Sequence, residues 1–246
     1  MRVCWRENSP TNCPGQCRNC AKKGGGVLNQ KEIDFRLCFR SQAPEDTREV
    51  GEFLSRGWVE GRGPRAGESG SGARAGLVIS LCGELGAGKT VFVKGLARGM
   101  GVDEELVSSP TFVLANQYLS PGNGLVLHHV DFYRLEAAGE LESMGFFDMM
   151  GPGTLLVVEW GSKFLEEMPE DRLEVTIDVE PDRGPEERIF RARGTGPESR
   201  GVAEEWGRRL SAVPGRTLLD ANLDANPAPD PNPDADSSPG EGLIGK

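Results

Sequence analysis

The sequence predicts an α/β fold in three layers, with a mostly parallel central sheet and an antiparallel pair of strands towards the C-terminal end. Three observations lead to this prediction. An apolar run at residues 77–82 is followed by a glycine-rich loop and a segment of helical periodicity. Two further apolar runs end in an acidic residue, Asp131 in one and Glu159 in the other. Residues 173–179 and 188–192 are two β-prone runs that predict the antiparallel pair.

The glycine-rich loop is the most informative stretch. Residues 83–90 read Gly-Glu-Leu-Gly-Ala-Gly-Lys-Thr and fit the phosphate-binding loop (P-loop) pattern G-x-x-x-x-G-K-[ST]. In such a loop, successive backbone N–H groups and the positive end of the following helix point at one anion. Lys89 is expected to reach the β- and γ-phosphates, and the Thr90 hydroxyl is expected to ligate Mg²⁺. The fold is therefore expected to be P-loop NTPase-like, with nucleotide bound by Glu84, Leu85, Gly86, Ala87, Gly88, Lys89 and Thr90.

Asp131 and Glu159 are the candidate catalytic acids. Asp131 ends the strand predicted at residues 125–131, and ligands of open α/β sheets bind at the carboxyl ends of strands. The run 154–160 is apolar until Glu159, as in the second nucleotide-binding motif, whose carboxylate holds Mg²⁺ or its waters. His128 and His129 point to opposite faces of their strand, which favours packing and hydrogen bonding over a shared metal.

Residues 108–112, Ser-Ser-Pro-Thr-Phe, lead into a strand predicted at 113–118. In P-loop enzymes a Ser/Thr turn after the first helix can fold over the γ-phosphate, so Ser109 and Thr111 are candidate γ-phosphate sensors. An ordinary turn is the alternative. Arg134 is a candidate arginine finger, with a structural ion pair as the alternative that the sequence favours.

The predicted P-loop domain spans residues 33–212. It begins with an alternating, half-buried strand at 33–39 and a helix entered at Pro44, whose first turn carries Glu45 and Asp46. Residues 57–76 are rich in Gly, Arg and Ser without a period, which predicts a mobile loop. Its arginines could contact RNA, but a solvated linker is the favoured interpretation.

Two extensions flank this domain. Residues 1–32 form a predicted flexible leader in which Cys13, Cys17 and Cys20 have the C-x-x-x-C-x-x-C spacing of an iron–sulfur site. Incidental cysteines in an unstructured leader are favoured over a cluster or a zinc knuckle, and a targeting leader or a start near Val27 stays open. Residues 213–246, with their Asn-Pro-Asp repetition, predict a disordered acidic tail.

The overall charge is acidic, with a formal net charge of −10. An acidic body disfavours non-specific binding to DNA or RNA, because that binding rests largely on phosphate neutralisation. No apolar run reaches the roughly 20 residues that a membrane span requires, and the first residues do not open a secretory signal. A cytoplasmic protein that binds neither membrane nor DNA is therefore expected.

Four linked motifs carry a resemblance to a known family. The P-loop, Ser109-Pro110-Thr111-Phe112, the run 129–135 (His-Val-Asp-Phe-Tyr-Arg-Leu) and Val158-Glu159-Trp160 stand in the order and spacing of the TsaE (YjeE) family. The segment around Thr47 is similar to the threonine that precedes the family's P-loop. The resemblance covers roughly residues 33–212. The chain departs from the family pattern in two places. The predicted loop at residues 57–76 is longer than is usual in the family, and Trp160 is followed by Gly161-Ser162-Lys163, where a proline is common.

The resemblance implies a small ATPase that uses ATP and Mg²⁺ and supports formation of threonylcarbamoyladenosine in tRNAs that read ANN codons. The family acts with the TsaD–TsaB complex, which performs the transfer and through which tRNA is met indirectly. Carried onto this chain, Lys89 neutralises phosphate charge and Thr90 and Glu159 hold the metal. Asp131 lies at the metal and orients the attacking water. Thr47 and Trp160 contribute to the nucleotide and partner surfaces.

Two other functional classes remain open at this stage. A small-molecule kinase would pass the γ-phosphate to an acceptor other than water, but neither an acceptor pocket nor an arginine-bearing lid is evident. A nucleotide-gated assembly module would use ATP binding to change its affinity for partners. Phosphate release without an acceptor would argue against the kinase, and nucleotide-independent partner affinity would argue against the gate.

Overall fold

The computed structural model describes residues 36–61, 75–180, 184–216 and 218–219. Its strands are β1 (Arg36–Ser41), β2 (Leu77–Cys82), β3 (Ala115–Leu119), β4 (Val126–Asp131), β5 (Thr154–Glu159), β6 (Leu173–Val179), β7 (Arg188–Gly194) and β8 (Leu218–Leu219). Its α-helices are α1 (Pro44–Glu60), α2 (Lys89–Gly99), α3 (Gly139–Ser143) and α4 (Pro197–Ser211). Short 3₁₀ helices lie at Glu104–Leu106, Phe146–Met149 and Gly161–Glu167.

The strands form one sheet in the order β3-β4-β5-β2-β6-β7-β1-β8. The four central strands β4, β5, β2 and β6 are parallel, and the outer pairs are antiparallel. The predicted α/β fold with a parallel centre and an antiparallel β6–β7 pair is therefore confirmed. Because β2, β4 and β5 run the same way, their carboxyl ends meet at one edge of the sheet.

One face of the sheet is covered by α1, α2 and α4. Four aromatic side chains join these helices to the strands: Phe39 and Phe190 stack with centroids 5.0 Å apart, and Trp206 meets Phe39 edge-on at 5.2 Å. Phe92 of α2 lies 5.6 Å from Phe190. The buried Trp206 indole also donates a 3.0 Å hydrogen bond to the Val50 carbonyl, so α4 is tied to α1 without an unpaired polar group.

Among the described residues, the opposite face is covered only beside β2, β4 and β5. Val130 and Val158 pack there against Phe132, Leu141 and Phe146 from the segments that follow β4. At β6 and β7 the same face carries charged ladders instead of an apolar layer; its cross-strand ion pairs are Asp178–Arg191 and Glu174–Arg193. Helices and loops therefore cover both faces of the sheet beside β2, β4 and β5. These are the strands whose carboxyl ends form the predicted nucleotide edge.

Close contact between α1 and α2 depends on glycine. A Cβ atom at Gly95 of α2 would overlap the carbonyl oxygen of Arg48, and a Cβ at Gly51 of α1 would overlap that of Phe92. A Cβ atom at Gly201 of α4 would have no atom from outside that helix within 4 Å. Gly95 therefore sets the distance between two helices, whereas Gly201 does not.

Gly95→Ala is expected to lower the free energy of unfolding by about 1–3 kcal/mol, because backbone must move to relieve the overlap. Gly201→Ala is expected to raise it by about 0.5–1 kcal/mol through helix propensity. Urea unfolding of the two variants checks both. Equal effects of the two substitutions would contradict the packing role of Gly95.

Two of the predictions made from the sequence need correction. Strand β1 is buried on both faces rather than half-buried, since Leu37, Cys38 and Phe39 are all covered where the strand lies between β7 and β8. The helix α1 continues to Glu60, so residues 57–60 are not part of a loop. Packing explains this: Trp58 is buried in the main core. The rest of the predicted loop, residues 62–74, lies outside the described residues.

The folded body also extends beyond residue 212. Arg216 has only 8% of its side chain exposed and pairs with Asp46 and, at 3.1 Å, with Glu49 of α1. Leu218 and Leu219 add β8 to the edge of β1. The segment assigned to a disordered tail therefore begins as part of the sheet, held by ion pairs that sequence composition does not reveal. Residues 1–32 and 220–246 lie outside the described residues, so the statements made about them from the sequence stay predictions.

In the described parts of the chain, no helix is both long enough and apolar enough to cross a membrane.

Candidate nucleotide site

The candidate site lies at the carboxyl edge of the parallel strands. The P-loop leaves β2 at Gly83 and enters α2 at Lys89. Asp131 and Glu159 are the last residues of β4 and β5 and lie directly opposite each other in the strand register. The two acids are therefore placed side by side by the sheet itself, next to the loop.

Two glycines give the P-loop its path. Gly88 precedes α2 with φ 103°, a left-handed conformation that side chains disfavour. Gly83 has φ 142°, and a Cβ atom there would overlap the carbonyl oxygen of Ile177 on β6. Substitution at either position would deform the loop. At the tip Leu85 is 92% exposed, so the loop projects from the protein rather than lying under it.

Lys89 is held at the base of the loop. Its Nζ donates to the carbonyl oxygens of Gly83 at 2.7 Å and Glu84 at 3.0 Å. The same ammonium lies 4.7 Å from the centroid of the Trp160 ring, a cation–π contact. The charge is thus fixed by the loop and by an aromatic face, at a place where neighbouring phosphate oxygens could replace the carbonyl oxygens.

Glu159 lies next to Thr90 and His129. The Thr90 hydroxyl donates to Oε1 of Glu159 over 3.4 Å, and Nε2 of His129 lies 2.8 Å from the same oxygen. Both Glu159 and His129 are buried. Thr90 and Glu159, two of the three residues predicted at the metal, are therefore brought within reach of one ion.

Asp131 is connected to the Ser/Thr turn. Its Oδ2 accepts a 3.0 Å hydrogen bond from the Thr111 hydroxyl, and its Oδ1 accepts one of 2.9 Å from the Tyr133 backbone N–H. Ser109 lies 2.7 Å from the Thr111 hydroxyl and extends this chain to the surface. Burial raises the pKa of Asp131 above its ordinary value, and the nearby charge of Glu159 raises it further, while the two hydrogen bonds oppose the shift.

These oxygen donors fit Mg²⁺. The Thr90 hydroxyl and the carboxylates of Glu159 and Asp131 are hard oxygen ligands of the kind that Mg²⁺ selects. In the described residues no cluster of three or more His, Cys, Asp and Glu side chains forms a metal cage. A small number of protein oxygens beside a phosphate loop is the arrangement in which Mg²⁺ is shared between carboxylates and nucleotide phosphates.

Thr47 and Trp160 support the loop from behind. The Thr47 hydroxyl lies 2.6 Å from that of Ser41, and its methyl group comes within 4.0 Å of a Cβ built on Gly88. Trp160 has φ 59°, and its backbone N–H donates to the Leu81 carbonyl, 3.0 Å away. Both side chains are buried, and their predicted contribution to a partner surface stays a prediction. They lie against the loop because Thr47 is in the first turn of α1 and Trp160 directly follows β5.

Among the described residues Arg134 has no ion-pair partner, so the structural ion pair that was favoured is not found there. Its guanidinium lies 4.6 Å from the centroid of the Phe112 ring, and Phe112 is 84% exposed. Since a cation–π contact between exposed groups contributes little, Arg134 is loosely held.

Sequence reasoning missed two residues that contact the site. Arg188, at the start of β7, donates from Nε to the Ala87 carbonyl of the P-loop at 2.8 Å, and from Nη1 to the carbonyls of Pro185 and Glu187. His129 was interpreted as a packing and hydrogen-bonding residue; its contact with Glu159 confirms the hydrogen bonding and adds a place at the site that was not predicted. No local pattern marks Arg188, because its partner lies 101 residues away in the chain.

Comparison with known proteins agrees with this geometry. The family model described as "Threonylcarbamoyl adenosine biosynthesis protein TsaE" matches residues 42–189. A tRNA threonylcarbamoyladenosine biosynthesis protein TsaE from Streptomyces coelicolor is 47% identical over 106 residues, which are 43% of this chain and 70% of that protein. The TsaE protein of Bacillus subtilis is 32% identical over 143 residues, covering 58% of this chain and 77% of its own length.

A solved structure is also similar. The crystal structure of YdiB from Bacillus subtilis superposes with a TM-score of 0.51 at 29% identity, over 72% of this chain and 97% of YdiB. The matched family segment contains the P-loop, Asp131 and Glu159, and it ends just after Arg188. The resemblance noted from four motifs is therefore confirmed, and the chain belongs to the TsaE family.

Proposed function

We propose that this protein serves tRNA threonylcarbamoyladenosine biosynthesis as a cytoplasmic P-loop ATPase that binds ATP and Mg²⁺. The observation that carries the proposal is the pairing of Asp131 and Glu159 at the sheet edge, beside Lys89 and Thr90. Phosphate capture alone needs only the loop. Two additional carboxylates at the same edge supply what hydrolysis needs, a metal ligand and a group that orients water.

Each residue then has a separate task. The loop amides and Lys89 bind the phosphates and neutralise their charge, with Trp160 fixing the lysine. Thr90 and Glu159 would hold Mg²⁺, which supplies charge neutralisation at the β- and γ-phosphate oxygens when bound. Asp131 orients the attacking water, and Ser109 with Thr111 couples that carboxylate to the exposed turn.

We further propose that hydrolysis is slow until the TsaD–TsaB complex binds, and that tRNA is met only through that complex. Arg134 stacks on Phe112 and Arg188 is bonded to the loop carbonyl, so neither is committed to the γ-phosphate. An arginine supplied in trans contributes about 10³–10⁵ in rate to related enzymes. The exposed apolar side chains of Leu85 and Phe112 beside the site support docking of a protein partner there.

Phosphate release from ATP, with and without a matched TsaD–TsaB pair, tests the proposal. Stimulation by the pair that is lost in Lys89→Ala is the expected result. Nucleotide binding without phosphate release, with or without the pair, would contradict an ATPase and favour a nucleotide-gated assembly module. ADP formation that requires an added small-molecule acceptor, with the phosphate transferred to that acceptor and none released, would favour a kinase.

Arg188 is expected to position the P-loop rather than to take part in chemistry. Arg188→Ala should weaken ATP binding about tenfold, because a hydrogen bond from a charged group contributes about 1.5–3 kcal/mol. Arg193→Ala is the matched control, since Arg193 lies on the same strand but pairs with Glu174. Titration with a fluorescent ATP analogue measures both affinities, and equal affinities would contradict the role of Arg188.

A further inference from the structure

His129 makes a single directed contact beneath the two acids. The ring is fully buried on β4, and its Nε2 lies 2.8 Å from Oε1 of Glu159. His129 shares a face of β4 with Asp131, and its register partner Val157 shares a face of β5 with Glu159. The imidazole therefore reaches diagonally across from the neighbouring strand to the base of the Glu159 carboxylate.

The hydrogen-bonding pattern fixes the direction of this contact. An ionised carboxylate only accepts hydrogen bonds, so Nε2 of His129 carries the proton and donates it to Glu159. The other ring nitrogen, Nδ1, is buried and has no hydrogen-bond partner among the described residues. Among the described residues, the hydrogen bonding of the ring is therefore the bond from Nε2 to Oε1 of Glu159.

This commitment leaves the other carboxylate oxygen available. The two hydrogen bonds that the described residues make to the side-chain carboxylate of Glu159, from His129 and from Thr90, both fall on Oε1. Oε2 accepts none from them. A carboxylate held at one oxygen keeps a fixed orientation of the second, which is what a metal ligand requires.

We propose that His129 is a positioning residue that fixes Glu159 by Oε1 so that Oε2 can ligate Mg²⁺ or its water. The inference rests on the ATPase proposed above. Partners that orient a ligand typically change metal affinity by about 10–100-fold. A buried histidine that served packing alone would change the stability of the fold but would leave the Mg²⁺ requirement unchanged.

Two substitutions of the same chemistry separate these roles. In His129→Gln the amide nitrogen stands as many bonds from the backbone as Nε2 of histidine, so it can still donate to Glu159. In His129→Asn the amide is one bond shorter and cannot reach. His128→Gln is the control, because His128 is the neighbouring histidine on the opposite face of β4 and is itself half-buried.

The experiment measures binding of a fluorescent, non-hydrolysable ATP analogue as Mg²⁺ is titrated, with thermal unfolding of each variant alongside. We expect His129→Asn to raise the half-saturating Mg²⁺ concentration about 10–100-fold. We expect His129→Gln to stay within about threefold of the wild type and His128→Gln to match it. Affinity for the analogue without Mg²⁺ should be the same in all four proteins.

This inference would be overturned if His129→Asn had the same half-saturating Mg²⁺ concentration as the wild type and only a lower melting temperature. That outcome would leave the ATPase proposal intact. Equal impairment of His129→Asn and His129→Gln would also overturn it, since reach to Glu159 would then be irrelevant. Wild-type protein that binds no analogue at any Mg²⁺ concentration would overturn the proposed function, and this inference with it.

Discussion

Replacing Lys89 with alanine is expected to lower ATP turnover by about 10²–10³-fold, the effect of removing one fixed donor from a developing anion. Lys89 is the cation that the loop itself holds, with hydrogen bonds of 2.7 and 3.0 Å to its carbonyls. Phosphate release under single-turnover conditions, with and without the partner complex, measures the loss. Nucleotide affinity should fall as well, because the same ammonium neutralises phosphate charge in the ground state.

Lys94→Ala provides the matched control. Lys94 lies on the same helix α2, is half-buried and has no contact with the P-loop among the described hydrogen bonds. Its substitution should leave turnover and affinity within about twofold, as is usual for surface positions. Wild-type turnover in Lys89→Ala would remove the loop from the reaction and with it the basis of the ATPase proposal.

Asp131→Asn is expected to lower turnover by about 10²–10⁴-fold while nucleotide affinity stays close to that of the wild type. The amide oxygen can still accept from the Tyr133 N–H, and the amide NH₂ group can donate to the Thr111 hydroxyl, but the side chain has no negative charge with which to polarise water. Kinetics and analogue binding on the same preparation separate the two effects.

The stability of Asp131→Asn gives an independent check. Burial and the charge of Glu159 raise the pKa of Asp131, so its ionised form is disfavoured in the folded protein. The penalty is present at pH values above that raised pKa and disappears as the pH falls through it. At neutral pH the asparagine variant should therefore unfold at the same or a higher temperature than the wild type. Lost activity that came with a lower melting temperature would point to misfolding instead.

The sequence by itself determined the central unit of this protein. A buried strand, a glycine loop and a helix are local structures, so the pattern at residues 77–99 fixed their order and length. Parallel strands end at one edge, so the sequence alone predicts that Asp131 and Glu159 lie near each other. The family followed because four motifs at set spacings constrain one another.

Only the tertiary structure decided how that unit is supported. Arg188 reaches Ala87 and Thr47 reaches Gly88 across long sequence separations, and neither contact leaves a periodic trace in the chain. Arg216 extends the domain into a segment whose composition alone predicted disorder, because the ion pairs of its covered side chain with α1 override that local signal. Sequence patterns report backbone propensity and which face is buried. The directions of single side chains across a packed sheet depend on the three-dimensional neighbours, and His129 acquires its contact with Glu159 from those neighbours.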